Sequence, residues 1–547
     1  MNRRNFQIIL LFVGTIIAFV VNNGALEANI MEARNLTTAR EILQKNNWLE
    51  PTMNGELRLE KPPLPTWLTA VTMYFVGQND LSLLRLPAAL AGMLLVFFLY
   101  KLTIEITEDK LLPFLVAGTA TTSFYIFFLA RDISWDIFCH SFMIGAIWLI
   151  VKGLKSKSSG WPELLGAGVL MGLSFMSKGP VSFYALLLPF LIAQSLTFGW
   201  KEATHKKKAL WGMIVLTLVI SLWWPLMIWI SHPDFSALIA KQESLAWINR
   251  STRPFYHYWS FPIQSGIWAI FASCALIFSY AKTRINQYGN YNFLLIWILS
   301  SLILLSLFPE KKERYLLPVL LPLAMLTAFY MRYLISAFKE GSFTRTDLNL
   351  FRSQVFIMSL IGIMLPVSVF VFLKAEKRPD MITLVLIAVL FWGTAIYILS
   401  SLPQKNAFRL WTGMVAIVLF VCLTIMPLAP KIAITNPSYR SYQELRRRTD
   451  VKVANFYFNK EMPGKFIEVV WNSGHTIKLW DTWNNPQMPS KLPILFLSYE
   501  DPTTVLPADI LSNYQIEIIG RFDSNPGKTR KDTALVNYAT LITEPSQ

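Results

Sequence analysis

The sequence predicts an all-α polytopic membrane domain followed by a small C-terminal α/β domain, on three observations. Of 547 residues, 54% are hydrophobic and only 15% are charged, where a soluble chain carries about 25% charge. Apolar stretches recur between Phe6 and Pro427, and a run of about 20 such residues spans a hydrocarbon core of about 30 Å as a helix. These runs are continuous, not alternating, which excludes a membrane barrel. After Pro430 the pattern changes to short β-branched and aromatic runs separated by Gly, Pro and Asn.

Taken in order, the expected spans are 6–24, 81–104, 111–130, 135–152, 162–177, 180–199, 209–230, 262–281, 292–308, 315–336, 354–374, 381–400 and 408–428, thirteen in all. The first is preceded by Arg3 and Arg4, and residues 2–24 resemble a signal peptide, but no small-residue cleavage site follows, so the segment is expected to stay as a helix. An odd number puts the termini on opposite sides. The loops containing Lys152, Lys155 and Lys157, then Lys201 and Lys206 to Lys208, then Lys282 and Arg284, then Arg332, Lys339, Arg345 and Arg352 fall on one side. Positive charge marks that side as cytoplasmic, with the N-terminus on it and the C-terminal module opposite. The same bias accounts for the net charge of +16 without a nucleic-acid partner. Cys139, Cys274 and Cys422 lie inside apolar runs and are expected to pack, not to pair or bind metal.

Two outward loops are long, 25–80 and 231–261, and long loops loaded with charge are where function concentrates. In the first, Leu26 to Leu43 and Leu64 to Val76 are expected to form helices along the membrane surface. The domain organisation is therefore 1–430 for the membrane domain with these loops, and 431–547 for the soluble domain. In the latter, Val453 to Phe458, Phe466 to Val470, Ile494 to Leu497 and Tyr514 to Ile519 are strand candidates.

Three outward clusters carry candidate chemistry. The first loop holds Glu27, Glu32, Arg34, Arg40 and Glu41, then Glu60 and Lys61 immediately before Pro62 and Pro63, which restrict the backbone there. Arg131, Asp132 and Asp136 stand at the mouth of a span, where an ionisable group needs a task or a partner, and Asp136 is the deeper carboxylate. An interhelical salt bridge to a lysine or arginine explains Asp136 equally well. His140, one turn further in, is more often a hydrogen-bonded packing residue than a base in such a place. The remaining histidines have no ligand spacing, so no metal and no other cofactor is expected. The third cluster is cationic: Lys178, Arg250, Arg253, Lys311, Lys312 and Arg314, with Tyr315. Cations on the outer side run against the usual bias and fit an anionic ligand such as a lipid phosphate. Acids and phosphate-binding cations together suggest group transfer from a lipid phosphate. No nucleotide loop is visible.

These residues resemble the GT-C fold membrane glycosyltransferases that include the 4-amino-4-deoxy-L-arabinose lipid A transferases and the protein O-mannosyltransferases. The likeness runs through Met31-Glu32-Ala33-Arg34, Ala39-Arg40-Glu41-Ile42-Leu43, Trp48, Glu60-Lys61-Pro62-Pro63-Leu64, Arg131 to Asp136, Ser177-Lys178-Gly179-Pro180 and Lys312 to Pro318. It implies an inverting enzyme of the bacterial inner membrane that moves a sugar from an undecaprenyl-phosphate carrier to lipid A or another envelope acceptor on the periplasmic face. It also implies that Arg34 and Lys61 hold the donor phosphate, with Arg250, Arg253, Lys312, Arg314 and Tyr315 contributing, and Glu27, Glu60 and Lys178 in support. The family's catalytic Asp falls on Met31, so Glu32 is the expected catalytic carboxylate beside Asp136. The metal-associated histidines of the family lack clear counterparts. Three rivals stand beside this reading: a protein O-glycosyltransferase; a transporter of lipid-linked sugar, which would instead place its ionisable groups near mid-membrane; and, because of Met31, a catalytically dead relative that only binds polyprenyl lipid.

Overall fold

The computed structural model describes residues 3–249, 251–373, 375–460, 463, 466–527 and 532–545. They group into two compact units. The first comprises Met1–Gly24, Leu59–Pro65 and Ser82–Pro427, and the second Ala25–Arg58, Thr66–Leu81 and Leu428–Gln547. The change near residue 430 read from composition falls where the last segment of the second unit begins. Most of the first long loop, however, groups with that segment instead of with the spans.

The first unit is a helical bundle. Among the described residues, seven helices are long and apolar enough to cross a membrane: Leu86–Ile106, Trp135–Lys155, Lys201–Ser231, Glu313–Glu340, Arg345–Phe372, Met381–Gln404 and Ala407–Ala433, whose last turns pass into the second unit. An eighth results if Phe255–Leu276 and Phe278–Ile285, bent by 94°, count as one span. Shorter apolar helices cover Arg4–Phe19, Leu112–Thr122, Phe183–Thr197 and Tyr291–Leu307. Ile230, Phe372 and Ile382 are about four-fifths exposed, which suits lipid and would be a liability in water. The protein is thus a multi-pass membrane protein. The expected span 111–130 is interrupted at Ser123, whose extended backbone separates Leu112–Thr122 from Phe124–Leu129.

Helix ends inside such a bundle leave carbonyls without partners, and buried cations take them up here. Arg131 donates to the carbonyls of Ala18, Val21 and Asn22 at 2.6, 3.0 and 2.8 Å, and Arg85 to that of Asn23 at 2.6 Å, closing the end of the first helix. Lys206 does the same for Gly153, Leu154 and Ser156 at 2.5, 2.9 and 2.6 Å. The Arg131 of the second sequence cluster is therefore a structural cation.

The second unit is built on a five-stranded sheet of β3 (Asn455–Phe458), β4 (Ile477–Leu479), β5 (Ile494–Ser498), β6 (Gln515–Asp523) and β7 (Val536–Thr543), in the order β4-β3-β5-β7-β6. β4, β3 and β5 run parallel, while β7 is antiparallel to both β5 and β6. Tyr457, Trp480, Ile494, Phe496, Val505, Leu506, Ile510 and Ile542 form a core on it. The run Phe466 to Val470, read as a strand candidate, is instead the start of the Ile467–Ser473 helix, closed by Gly474 at φ 83°. A short apolar run has no period long enough to separate helix from strand.

The Ile30–Lys45 helix of the first long loop belongs to this unit. It opens with a capping box between Asn29 and Glu32. Arg40, fully buried, donates to the carbonyls of Val470 and His475 at 3.2 and 3.3 Å, tying this helix to the end of the Ile467–Ser473 helix. Glu41 accepts from the Gly55 amide at 3.0 Å and the Thr52 hydroxyl at 2.6 Å, which shapes the hairpin of β1 (Thr52–Met53) and β2 (Glu56–Leu57). Asn54 and Gly55 both have positive φ, as a two-residue turn of this kind requires. The Asn54 amide then pairs reciprocally with the Ile477 backbone of edge strand β4 at 2.9 and 2.8 Å. The Ala-Arg-Glu run is thus explained by local architecture.

Burial lowers the Arg40 pKa to about 10, and burial beside the Arg40 and Arg446 cations lowers that of His475 to about 4. Arg40→Met leaves two carbonyls unpaired and is expected to cost about 2 kcal/mol or more, read as faster amide exchange across 467–479 in the intact protein. Because folded His475 resists the proton that the unfolded chain accepts near pH 6.5, its contribution to stability is complete above that pH. It is lost as pH falls toward 4. His475→Asn should flatten this slope in the same exchange measurement.

Candidate active site

Within the first unit, a cavity of about 540 Å³ opens at one end of the bundle. Its polar lining is Glu60, Lys61, Asp136, His140, Lys178, Glu243, Glu310 and the tyrosines 184, 258 and 315. Pro62, Pro180, Val181, Leu305 and Phe308 supply apolar wall.

Helix ends deliver the polar groups. Asp136 sits in the first turn of Trp135–Lys155, where the helix dipole favours an anion, and Lys178 in the last turn of Trp161–Lys178, where it favours a cation. The two form an ion pair through Lys178 Nζ and Asp136 Oδ1, with side chains 11% and 2% exposed. Gly179 follows with φ 71° and open space where a Cβ would project. Pro180 and a π-turn over Phe183–Leu187 then start the next helix. The Lys178 ammonium also lies 4.8 Å from the centre of the Tyr315 ring.

A second pair, Lys61 to Glu243 at 3.3 Å, joins the Glu-Lys-Pro-Pro segment to the Pro233–Asn249 helix of the second long loop. A third, Lys312 to Glu310 at 2.6 Å, completes the rim, with the Lys312 ammonium 5.8 Å from the centre of the Tyr315 ring. The Tyr258 hydroxyl accepts from the Lys312 amide at 2.9 Å and donates to the Lys312 carbonyl at 3.1 Å. The Arg253 amide donates to Pro309 O at 3.2 Å, and Thr252 bridges Glu310 in antiparallel fashion. These contacts dock the end of the second long loop onto the 309–312 segment.

Of the residues singled out from sequence, Glu60, Lys61, Asp136, Lys178 and Tyr315 meet in this cavity, and Lys312 stands at its edge. Arg253 contributes its backbone to the rim with an exposed side chain, and Arg314 lies in the neighbouring turn outside the lining. Arg250 lies outside the described residues. Glu27, Glu32 and Arg34 belong to the second unit. There Glu27 accepts from Ser441 at 2.8 Å, Glu32 caps its helix through Asn29 at 3.2 Å, and the Arg34 carbonyl accepts from Arg58 at 2.7 Å. Glu243 and Glu310 were not singled out from sequence, because a lone glutamate in a loop has no spacing to mark it. No group of three or more His, Cys, Asp or Glu side chains placed to hold a metal occurs among the described residues.

Residues 60–229 match the family model described as dolichyl-phosphate-mannose-protein mannosyltransferase, a stretch that contains Glu60, Lys61, Asp136 and Lys178. The chain is similar to the undecaprenyl phosphate-alpha-4-amino-4-deoxy-L-arabinose arabinosyl transferase 2 of Pseudomonas fluorescens, with 26% identity over 70% of this chain and 64% of the relative. Its likeness to the corresponding transferase of Photorhabdus laumondii is 23% identity over 88% of this chain and 86% of that one. In fold it matches the crystal structure of ArnT from Cupriavidus metallidurans bound to undecaprenyl phosphate, with a TM-score of 0.66 and 15% identity over 98% and 97% of the two chains. The protein is a polytopic membrane protein of the GT-C fold. Its sequence is similar to those of the undecaprenyl-phosphate aminoarabinose transferases, and over residues 60–229 to the protein mannosyltransferase model.

Breaking a buried ion pair from one side strands the other charge, at about 3–5 kcal/mol, whereas removing both charges costs far less. Lys178→Met should therefore lower the thermal midpoint of the purified protein sharply, and adding Asp136→Asn should restore most of it.

Proposed function

We propose that this protein is an inverting glycosyltransferase of the bacterial inner membrane that moves a 4-amino-4-deoxy-L-arabinose type sugar from undecaprenyl phosphate to lipid A. The observation that carries the reading is the make-up of the cavity: three lysine–carboxylate pairs, Lys178–Asp136, Lys61–Glu243 and Lys312–Glu310, with Glu60 as a further acid. A plain phosphate site would not be rich in acids. A donor with a phosphodiester at one end of the sugar and an ammonium on it matches both signs of charge, and the activity of the similar aminoarabinose transferases fits such a donor.

In the reaction a phosphate oxygen of lipid A attacks C1 of the sugar. The bond from C1 to the carrier phosphate breaks, and its electron pair leaves on undecaprenyl phosphate, which gains one negative charge. The attacking oxygen is already anionic and needs no general base. The protein's task is to bring two anions together and to neutralise the one that departs. Lys61 and Lys178 do this, exchanging part of their contact with Glu243 and Asp136 for the phosphate. Lys312, Arg314, Arg253 and Tyr315 shape the approach.

In this reading the thirteen apolar runs all span the bilayer, leaving the N-terminus in the cytoplasm and the cavity and the C-terminal domain in the periplasm. The basic loops from Lys152 to Arg352 support that orientation. Ionisable groups at the ends of spans, not at their middle, favour an enzyme over a transporter.

Transfer of labelled sugar from undecaprenyl phosphate to lipid A in proteoliposomes tests the proposal. Lys61→Ala should lower transfer at least about 100-fold. Wild type with no transfer would contradict the proposed reaction, and a Lys61→Ala protein as active as wild type would contradict the role of Lys61.

A further inference from the structure

His140 is unexplained by anything above. It follows Asp136 by four residues on one helix, so it shares that face about 6 Å further into the bundle. Its ring lines the cavity and is 1% exposed. Sequence alone suggests a hydrogen-bonded packing histidine, but the Nδ1 atom is buried without a hydrogen-bond partner. Around it, Asp136 and Lys178 are joined to each other, Lys61 to Glu243, Glu310 to Lys312, and Tyr258 to the Lys312 backbone. An imidazole always has one nitrogen to donate or accept at each edge, and a buried one left unpaired costs about 1–3 kcal/mol. A nonpolar residue would fill this place without that cost.

We infer that His140 is a sugar-positioning residue, whose imidazole hydrogen-bonds a ring hydroxyl of the transferred sugar and fixes the sugar below the Asp136–Lys178 pair. This rests on the donor proposed above. With the carrier phosphate held by the lysines at the cavity mouth, the sugar is the part of the donor that reaches one turn deeper. His140 then reads the sugar and does not touch the phosphate.

The test compares two lipids, undecaprenyl phosphate and its aminoarabinose-bearing form, binding to the full chain in nanodiscs. The proteins are wild type, His140→Phe, which keeps a planar ring, and His140→Gln, whose amide can still donate and accept. His140→Phe should weaken the sugar-bearing lipid about 10-fold and leave the bare lipid phosphate within about twofold. His140→Gln should recover most of the loss. Equal weakening of both lipids, or of neither, overturns the inference and leaves the donor reading standing. Wild type that binds neither lipid overturns the donor reading and this inference with it. Should His140→Phe fail to fold, His140→Ala takes its place: a donor lacking one ring hydroxyl should bind wild type and His140→Gln more weakly and His140→Ala no differently if that hydroxyl is the partner. Equal losses in all three proteins would overturn the inference.

Discussion

A carboxylate and an ammonium ion placed among apolar helix ends cannot remain apart, because each alone would be far too costly to take out of water. Asp136 and Lys178 meet that constraint by pairing, and the pairing fixes the cavity. It sets the start of one span against the end of the next and brings the open Gly179-Pro180 turn to the wall. It also holds the lysine over the Tyr315 ring. The Lys61–Glu243 and Lys312–Glu310 pairs then attach the loops to the rim. A site assembled from mutually neutralising pairs needs no ligand to balance its charges.

The same physics recurs away from the cavity with neutral partners. Arg131, Arg85 and Lys206 place their charges on helix-terminal carbonyls, and Arg40 does so in the second unit. These cations act as caps, which separates them from those of the cavity. Motif residues thus divide into two kinds. Arg40, Glu41 and Arg131 hold backbone in place, whereas Lys61, Asp136 and Lys178 line open space.

Much of this was legible in the sequence. Continuous apolar runs give the helices because the bilayer leaves the backbone no alternative. Asp136 and Lys178 stood out because charge at a span end needs a reason. The sequence is compatible with a salt bridge and with a function for Asp136, and in the structure Asp136 and Lys178 are paired and line the cavity. Other features were not legible. Residues 25–58 group with the C-terminal segment through side-chain bonds of Arg40 and Asn54 to backbone some 420 residues or more away, and no local pattern encodes such partners. The break at Ser123 and the helical state of Ile467–Ser473 depend on packing, not on period. Glu243 and Glu310 acquire meaning only when their loops are folded against Lys61 and Lys312.

The account turns on which member of the buried pair faces the carrier phosphate. The direct test is binding of undecaprenyl phosphate to the exchange variant that carries Asp136→Lys together with Lys178→Asp, compared with wild type in the same nanodiscs. Both charges remain paired, so the protein should fold, but the ammonium leaves the site beside Tyr315 and a carboxylate takes its place. The account predicts a folded protein whose affinity for the lipid phosphate falls at least about 10-fold. Wild-type affinity in the folded exchange variant would show that Lys178 does not bind the phosphate, and would contradict it.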